Sequence, residues 1–198
     1  MRDMTTLYLV RHAKPAATWG EAADPGLDDI GAQQAAQTAE ELGSLGGGLQ
    51  LFSSPLRRCR ETAAPLAAHW HAAVKLLPAV AEIPPPPLGP QERRQWLANA
   101  MSGDWSQLQA SAPTGSPDYH AWRNSLLETL TTLGCDAVIF THFIAINVVV
   151  GAAQNSERVV NFRPGHASVT EIRVSDNRFE VRRLGREAET DSGVLLGR

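Results

Sequence analysis

The chain has 198 residues, 43% of them hydrophobic, and a formal net charge of −3. This length allows one substantial core and leaves little room for another, so we expect a single domain over residues 1–198. Lysine occurs only at Lys14 and Lys75, and there is no dense basic run, which argues against nucleic acid or a membrane as a partner.

The N-terminal region and the cysteines bear on where the protein works. The apolar stretch before Arg11 is too short for a signal-peptide core or a membrane span, so we expect a cytoplasmic protein. Cys59 and Cys135 stand in separate apolar segments and form no C-x-x-C pair. This favours buried free thiols over a disulfide or a metal site.

The first part of the chain alternates predicted strands and helices. TTLYLV is a short β-branched and aromatic run that predicts a buried strand ending at Arg11 and His12. The segment DDIGAQQAAQTAEEL then shows helical spacing. LQLFSS predicts a second strand, after which Ser54 and Pro55 predict the N-cap and the first residue of a second helix.

A proline-rich segment interrupts this alternation. A third predicted strand around VKLLP leads to Glu82, and the run IPPPPLGP that follows suits neither regular helix nor central sheet. We expect residues 84–117 to form an inserted flap or loop region. It should contain a short helix, with Trp96 and Trp105 as core anchors.

The remaining segments return to the alternating pattern. Residues 118–133 predict an amphipathic helix, and DAVIFTH predicts a strand running into His142. The alternating runs ASVTEIRV and RFEVRRL predict a closing strand pair. Together these elements predict an α/β fold, a three-layer sandwich with helices on both faces of a mostly parallel central sheet. Ligands of such sheets bind beyond the carboxyl ends of the strands, where the RH and TH pairs fall.

Three common phosphate-handling mechanisms lack their motifs. There is no G-x-x-x-x-G-K-[ST] loop, and no two aspartates form a D-x-D pair. Neither cysteine has an arginine six positions later, because Pro65 and Thr141 stand there. P-loop, aspartyl-phosphate and cysteine-phosphate mechanisms are therefore disfavoured.

The residue types at the predicted strand ends suffice for phosphoryl transfer without a metal or an organic cofactor. A neutral imidazole can attack phosphorus, while arginines and a protonated imidazole offset charge on the non-bridging oxygens. A helix N-terminus adds amide donors for an anion. A partly desolvated carboxyl group near the phosphate would have a raised pKa and could protonate the leaving oxygen.

The order of the motifs resembles that of the histidine phosphatase, or phosphoglycerate mutase-like, superfamily. The resemblance covers residues 5–184 and rests on LYLVRHAKP, LDDIGAQQA, SSPLRRCRETA, AEI, FTHF and ASVTEI. It implies a phosphoglycerate mutase-like fold and a small phosphorylated substrate. It also implies a metal-independent phosphatase of the histidine acid phosphatase type, a phosphoric monoester hydrolase.

Carried over by position, the resemblance implies a role for each motif residue. His12 would be the nucleophile that forms a phosphohistidine, with Arg11 as the neighbouring phosphate clamp. Arg58, rather than either adjoining arginine, matches the motif arginine, and His142 matches the second histidine. Glu82 matches the proton donor.

The sequence departs from the family pattern near these motifs. Phe143 stands where glycine usually follows the second histidine, which could narrow the pocket or offer a substrate an aromatic wall. Lys14, in the altered loop after RH, could contact an anionic tail of the substrate or be an ordinary loop charge. His166 could approach the pocket or stabilise a turn, and we leave it out of the catalytic set.

Several alternatives remain open at this stage. The long substrate-shaping insertions of the mutases are missing, which favours phosphatase over mutase activity. A phosphoglycerate mutase-like phosphotransferase, a protein phosphohistidine phosphatase and a non-catalytic module that binds phosphate ligands are the rivals. The oligomeric state is open, with a homodimer as one option.

Overall fold

The part of the chain that the structure describes forms a six-stranded sheet with helices on both sides. The computed structural model describes residues 4–17 and 24–188. The strands are β1 (Thr5–Arg11), β2 (Gln50–Ser53), β3 (Val74–Leu76), β4 (Ala137–Thr141), β5 (Val169–Ser175) and β6 (Arg178–Arg183), and their order across the sheet is β3-β2-β4-β1-β5-β6.

Six α-helices accompany the strands within the described ranges. They are α1 (Asp29–Gly43), α2 (Arg57–Trp70), α3 (Pro90–Ser102), α4 (Trp105–Ala110), α5 (Tyr119–Thr132) and α6 (Phe143–Gln154), with a 3₁₀ turn at Pro78–Val80. No helix in this part of the chain combines the length and the apolar character needed to cross a membrane.

Parallel pairing brings four strand ends to one edge. β1 pairs with β4, β4 with β2 and β2 with β3, all in parallel, while β5 and β6 add antiparallel strands beside β1. The predicted α/β fold with a mostly parallel sheet is confirmed, as is the closing strand pair. Since β4 lies between β1 and β2, whatever follows β4 lies between the residues that follow the other two.

Alternating side chains divide the core into two layers. In β4, Ile139 joins the cluster that includes helices α5 and α6, whereas Val138 and Phe140 join the cluster that includes α1 and α2. All five β4 residues are buried, as expected for a central strand covered on both faces. The predicted helices on both sides of the sheet are therefore present.

The region predicted as a flap contains two helices rather than one short helix. Helices α3 and α4 are separated by Gly103 and Asp104, and the Asp104 carboxylate caps α4 by accepting from the Gln107 amide. Trp96 and Trp105 are both buried in the larger core cluster, as expected. The two buried tryptophans anchor α3 and α4 to the core.

The second helix begins two residues later than predicted. Its N-cap is Leu56, not Ser54, and Pro55 precedes the helix. The Ser54 hydroxyl instead lies 2.8 Å from a histidine ring, and the Asp24 carboxylate accepts from the Arg57 amide. The Ser54 side chain, which was expected to cap the helix, thus contacts a histidine instead. The Arg57 amide in the first turn of the helix is already bound to the Asp24 carboxylate.

Candidate active site

Three strand ends assemble the centre of the candidate site. The His12 amide donates to the Thr141 carbonyl at 2.9 Å, and the Ser54 amide donates to the Phe140 carbonyl at 2.9 Å. These bonds extend the β1–β4 and β4–β2 ladders by one residue beyond each strand. His142, which follows β4, therefore lies between His12 and Ser54.

His12 is held as a neutral imidazole with a defined tautomer. Its Nδ1 atom lies 2.8 Å from the Ala13 carbonyl oxygen, which can only accept a hydrogen bond. Nδ1 therefore carries the proton, and Nε2 carries the free lone pair. Burial and the neighbouring charges of Arg11 and Arg58 lower the pKa of His12 well below its ordinary value.

His142 is fully buried behind the other predicted residues. Its Nδ1 atom accepts from the Arg58 guanidinium at 3.2 Å, so its Nε2 atom carries the proton and donates to the Ser54 hydroxyl. Burial, together with His12 and Arg58, lowers its pKa well below the ordinary value. The ring is therefore neutral in this environment, and the protonated imidazole expected beside a phosphate stays a prediction.

Arg11 and Arg58 bring two permanent positive charges to His12. The Arg11 guanidinium donates to the Pro164 carbonyl at 2.8 Å, while its Nε atom is buried with no partner among the described residues. Burial lowers the pKa of Arg11 to about 10, so the side chain still carries its charge at neutral pH. Donors left partly unpaired in this way are suited to an incoming anion.

Glu82 lies at the N-terminus of α6. Its Oε1 atom accepts from the Ile83 amide at 3.0 Å and from the Ile144 amide at 3.1 Å. Burial raises the pKa of this carboxyl, although both backbone amides and the nearby arginines oppose the rise. Glu82 can therefore stay protonated at a higher pH than an exposed glutamate can.

Most of the predicted residues line one cavity of about 730 Å³. His142 is the exception among the seven, because it is fully buried and does not line the cavity. The predicted residues in the lining are Arg11, His12, Lys14, Arg58, Glu82 and Phe143. Direct contact of His142 with a substrate stays a prediction.

Phe143 and Lys14 occupy different parts of this lining. The Phe143 ring forms a wall, as one of its two expected roles requires, and the Arg11 guanidinium lies 5.1 Å from its centroid. The Lys14 ammonium pairs with the Asp28 carboxylate at 2.9 Å. The positive charge of Lys14 is thus already balanced by a carboxylate of the protein.

Sequence reasoning missed two arginines in the same cavity, and it left out one histidine. Arg93 comes from α3, and Arg163 comes from the loop before β5. His166 also lines the cavity, and its ring centroid lies 5.6 Å from that of His12. No motif marks Arg93 or Arg163, whereas the position of His166 directly before ASVTEI was a usable signal.

A metal site does not emerge from the described residues. Within residues 4–17 and 24–188, no three His, Cys, Asp or Glu side chains converge as ligands. Cys59 and Cys135 are both free thiols; Cys59 is buried and Cys135 partly buried. Positive charge in the cavity comes from guanidinium and ammonium groups.

Comparisons with known proteins give a family match over most of the chain. Residues 7–187 match the family model of the histidine phosphatase superfamily, branch 1. No curated protein sequence matches the chain.

Solved structures with similar folds include phosphatases and a mutase. A mycobacterial glucosyl-3-phosphoglycerate phosphatase aligns with a TM-score of 0.71 and 21% identity, covering 94% of this chain and all of that one. A phosphoglycerate mutase from Bacillus anthracis gives 0.71 and 16%, covering 92% and 93%. A phosphoserine phosphatase mutant from Entamoeba histolytica, in complex with phosphoserine, gives 0.70 and 18%, covering 91% and 96%. At such identities these likenesses show the fold alone.

Proposed function

Because this chain belongs to the histidine phosphatase superfamily, branch 1, and so to a family of phosphatases and phosphotransferases, we propose that it hydrolyses phosphomonoesters through a phosphohistidine on His12. The observation that carries the proposal is the tautomer of His12. With Nδ1–H directed at the Ala13 carbonyl, Nε2 is left as an unprotonated nucleophile. The reaction needs no metal in this scheme, since arginines supply the positive charge.

The charges around His12 suit a phosphate dianion. Arg11 and Arg58 lie close enough to depress the pKa of His12, so both act on the space where the phosphoryl group would bind. Their combined charge of two matches that of the dianion. His142 supports this arrangement through its bond to the Arg58 guanidinium.

In the first step, Nε2 of His12 forms a bond to phosphorus while the bond from phosphorus to the ester oxygen breaks. The protonated Glu82 carboxyl gives its proton to the departing oxygen, which leaves as an alcohol. In the second step, the Glu82 carboxylate takes a proton from water as that water attacks phosphorus. The His12–phosphorus bond then breaks, releasing phosphate and restoring both groups.

The test is rapid quenching of the purified protein with a labelled small phosphomonoester near neutral pH. An acid-labile phosphoryl adduct that maps to His12, with steady release of phosphate, is the expected result. H12A should lose both the adduct and the turnover while remaining folded. H69A is the matched control, because His69 is an exposed histidine of α2 outside the cavity.

Two of the rival activities have their own outcome in this experiment. Label passing from the adduct to an added alcohol in preference to water would indicate a phosphotransferase. Saturable phosphate binding without adduct or turnover would indicate a binding module and would contradict the proposal. Unchanged turnover in H12A would contradict the mechanism.

The remaining expectations belong with this proposal. We propose that residues 1–198 act as a single catalytic domain on a small phosphorylated substrate in the cytoplasm. Neither nucleic acid nor a membrane is part of the proposed function.

A further inference from the structure

Helix α1 supplies none of the predicted catalytic residues, yet its N-terminal part lies against the backbone that follows His12. The Asp28 amide donates to the Lys14 carbonyl at 3.2 Å. Gly31 makes this approach possible, because a Cβ atom there would overlap the Lys14 carbonyl oxygen. One turn later, the side-chain oxygen of Gln34 accepts from the Lys14 amide at 3.0 Å. The motif LDDIGAQQA therefore holds the chain next to His12.

The peptide group between Ala13 and Lys14 is bonded at both ends. Its carbonyl lies 2.8 Å from Nδ1 of His12. Its N–H, on the opposite side of the same planar group, donates to Gln34. A rotation that turned the carbonyl away from His12 would break both bonds. Gln34 therefore resists the motion that would release the His12 ring.

Thr62 holds the preceding peptide group, between His12 and Ala13. The Ala13 amide donates to the Thr62 hydroxyl oxygen at 2.9 Å, and the Thr62 hydroxyl donates to the Arg58 carbonyl at 2.6 Å. The His12 carbonyl lies 3.2 Å from Nδ1 of His166. Thr62 is only 1% exposed, so water is excluded from taking its place as the acceptor. Thr62 thus joins the backbone beside His12 to the helix that carries Arg58.

We propose that Gln34 and Thr62 are positioning residues that fix the Nδ1–H tautomer of His12 through the two peptide groups flanking Ala13. This inference rests on the proposed function, since it concerns how the nucleophile of that reaction is prepared. Neither side chain lines the cavity, so both act through the backbone rather than on the substrate. The proton stays on Nδ1, and Nε2 keeps its lone pair for phosphorus.

The two bonds matter most while phosphorus bonds to His12. As Nε2 forms that bond, the imidazole becomes positively charged and its Nδ1–H becomes a stronger donor. A carbonyl that is already in place stabilises this charge without reorientation, as the carboxylate of a Ser-His-Asp triad does for its histidine. Loss of either bond should therefore slow phosphorylation and leave the affinity for phosphate unchanged.

The first test removes the acceptor of Gln34. Q34M has nearly the same length but lacks the oxygen, Q34E keeps an oxygen at the same reach, and Q33M is the control at an exposed neighbour in α1. In rapid-quench experiments with a labelled phosphomonoester, Q34M should phosphorylate His12 about tenfold more slowly, as loss of a charge-assisted hydrogen bond allows. Its affinity for inorganic phosphate should match that of wild type. Q34E should recover most of the rate, and Q33M should retain all of it.

The same comparison applies to Thr62. T62V removes the hydroxyl, T62S keeps it, and T170V removes another buried threonine hydroxyl, which accepts from the Gly185 amide outside the cavity. Both valine variants leave a backbone amide without its acceptor, so they share that cost in stability. T62V should phosphorylate His12 about tenfold more slowly, T62S should restore most of the rate, and T170V should leave it unchanged.

The ring proton of His12 gives a reading that needs no substrate. In NMR spectra of ¹⁵N-labelled wild-type protein it should reside on Nδ1 and exchange slowly with water, and its absence in H12A assigns it. In Q34M and T62V it should shift upfield and exchange faster. An unchanged proton signal or an unchanged phosphorylation rate in both variants would overturn the positioning roles and leave the phosphatase reaction intact. A wild-type protein that forms no adduct would overturn the phosphatase reaction, while the proton signal would still decide whether Gln34 and Thr62 fix the tautomer.

Discussion

Replacing Glu82 by glutamine isolates the proton-donor role from the structural role of this side chain. Oε1 accepts both of the shorter backbone bonds, from Ile83 and Ile144. A glutamine oxygen in the same position can keep both bonds, so the N-terminus of α6 should remain intact. What E82Q removes is the proton that the carboxyl can give to a leaving oxygen.

The size of the effect should depend on the leaving group. General acid catalysis contributes about 10²-fold to 10⁴-fold, so E82Q should slow hydrolysis of an alkyl phosphate by at least about 10²-fold. A nitrophenyl phosphate releases a stable anion that needs little protonation, and its loss should stay below about tenfold. Steady-state kinetics with both substrates measures the difference. Equal losses on the two substrates would refute the proton-donor assignment.

The pH profile provides an independent reading of the same variant. Burial raises the pKa of Glu82 and the acid form acts first, so wild-type kcat/KM should fall as pH rises through that raised pKa. E82Q should lack this alkaline decline. A carboxyl with a raised folded-state pKa also opposes folding above its unfolded pKa, so E82Q should be at least as stable as wild type at neutral pH. Urea unfolding checks the stability, and a marked loss would show a structural role instead.

Three further predictions address the clamp, the core and the nucleophile. R58K should lower kcat/KM about 10²-fold by losing the planar fork and the bond to His142, while R57K, at an exposed residue, should change it less than twofold. I139A should cost about 2–5 kcal/mol in urea unfolding, whereas I30A, half exposed at 51%, should stay near 0.5 kcal/mol. Because the pKa of His12 is lowered from 6.5, its neutral form persists below that pH. Apart from the decline caused by protonation of the substrate dianion, whose second pKa is about 6, kcat/KM should show no acid decline near 6.5.

The buried strands were predictable because both faces of the sheet are covered. An apolar run such as that of β4 can satisfy its backbone only as a central strand or a buried helix, and its short length favours the strand. Burial also separates Arg58 from Arg57, in agreement with the choice of Arg58 as the motif arginine. Arg58 is 8% exposed and contacts His142, while Arg57 is exposed and pairs with Glu61.

The features that escaped prediction depend on contacts between distant segments. Ser54 is a good N-cap by local rules, but His142 takes its hydroxyl, so the helix starts later. Arg163 reaches the cavity because its loop is held by the segment around Ala188. Nothing near Arg163 in the sequence records that partner, since such pairing is decided by tertiary structure.

The placement of β1 between β4 and β5 has a consequence for how the nascent chain matures. The Arg11 side chain is bonded to a carbonyl 153 residues further along, and His166 meets the His12 backbone across 154 residues. His12 therefore leaves the ribosome long before Pro164 and His166, which complete its surroundings. Contacts of such long sequence separation form slowly. Catalytic activity should therefore require the segment that contains Pro164 and His166, and chains that stop before it should be inactive.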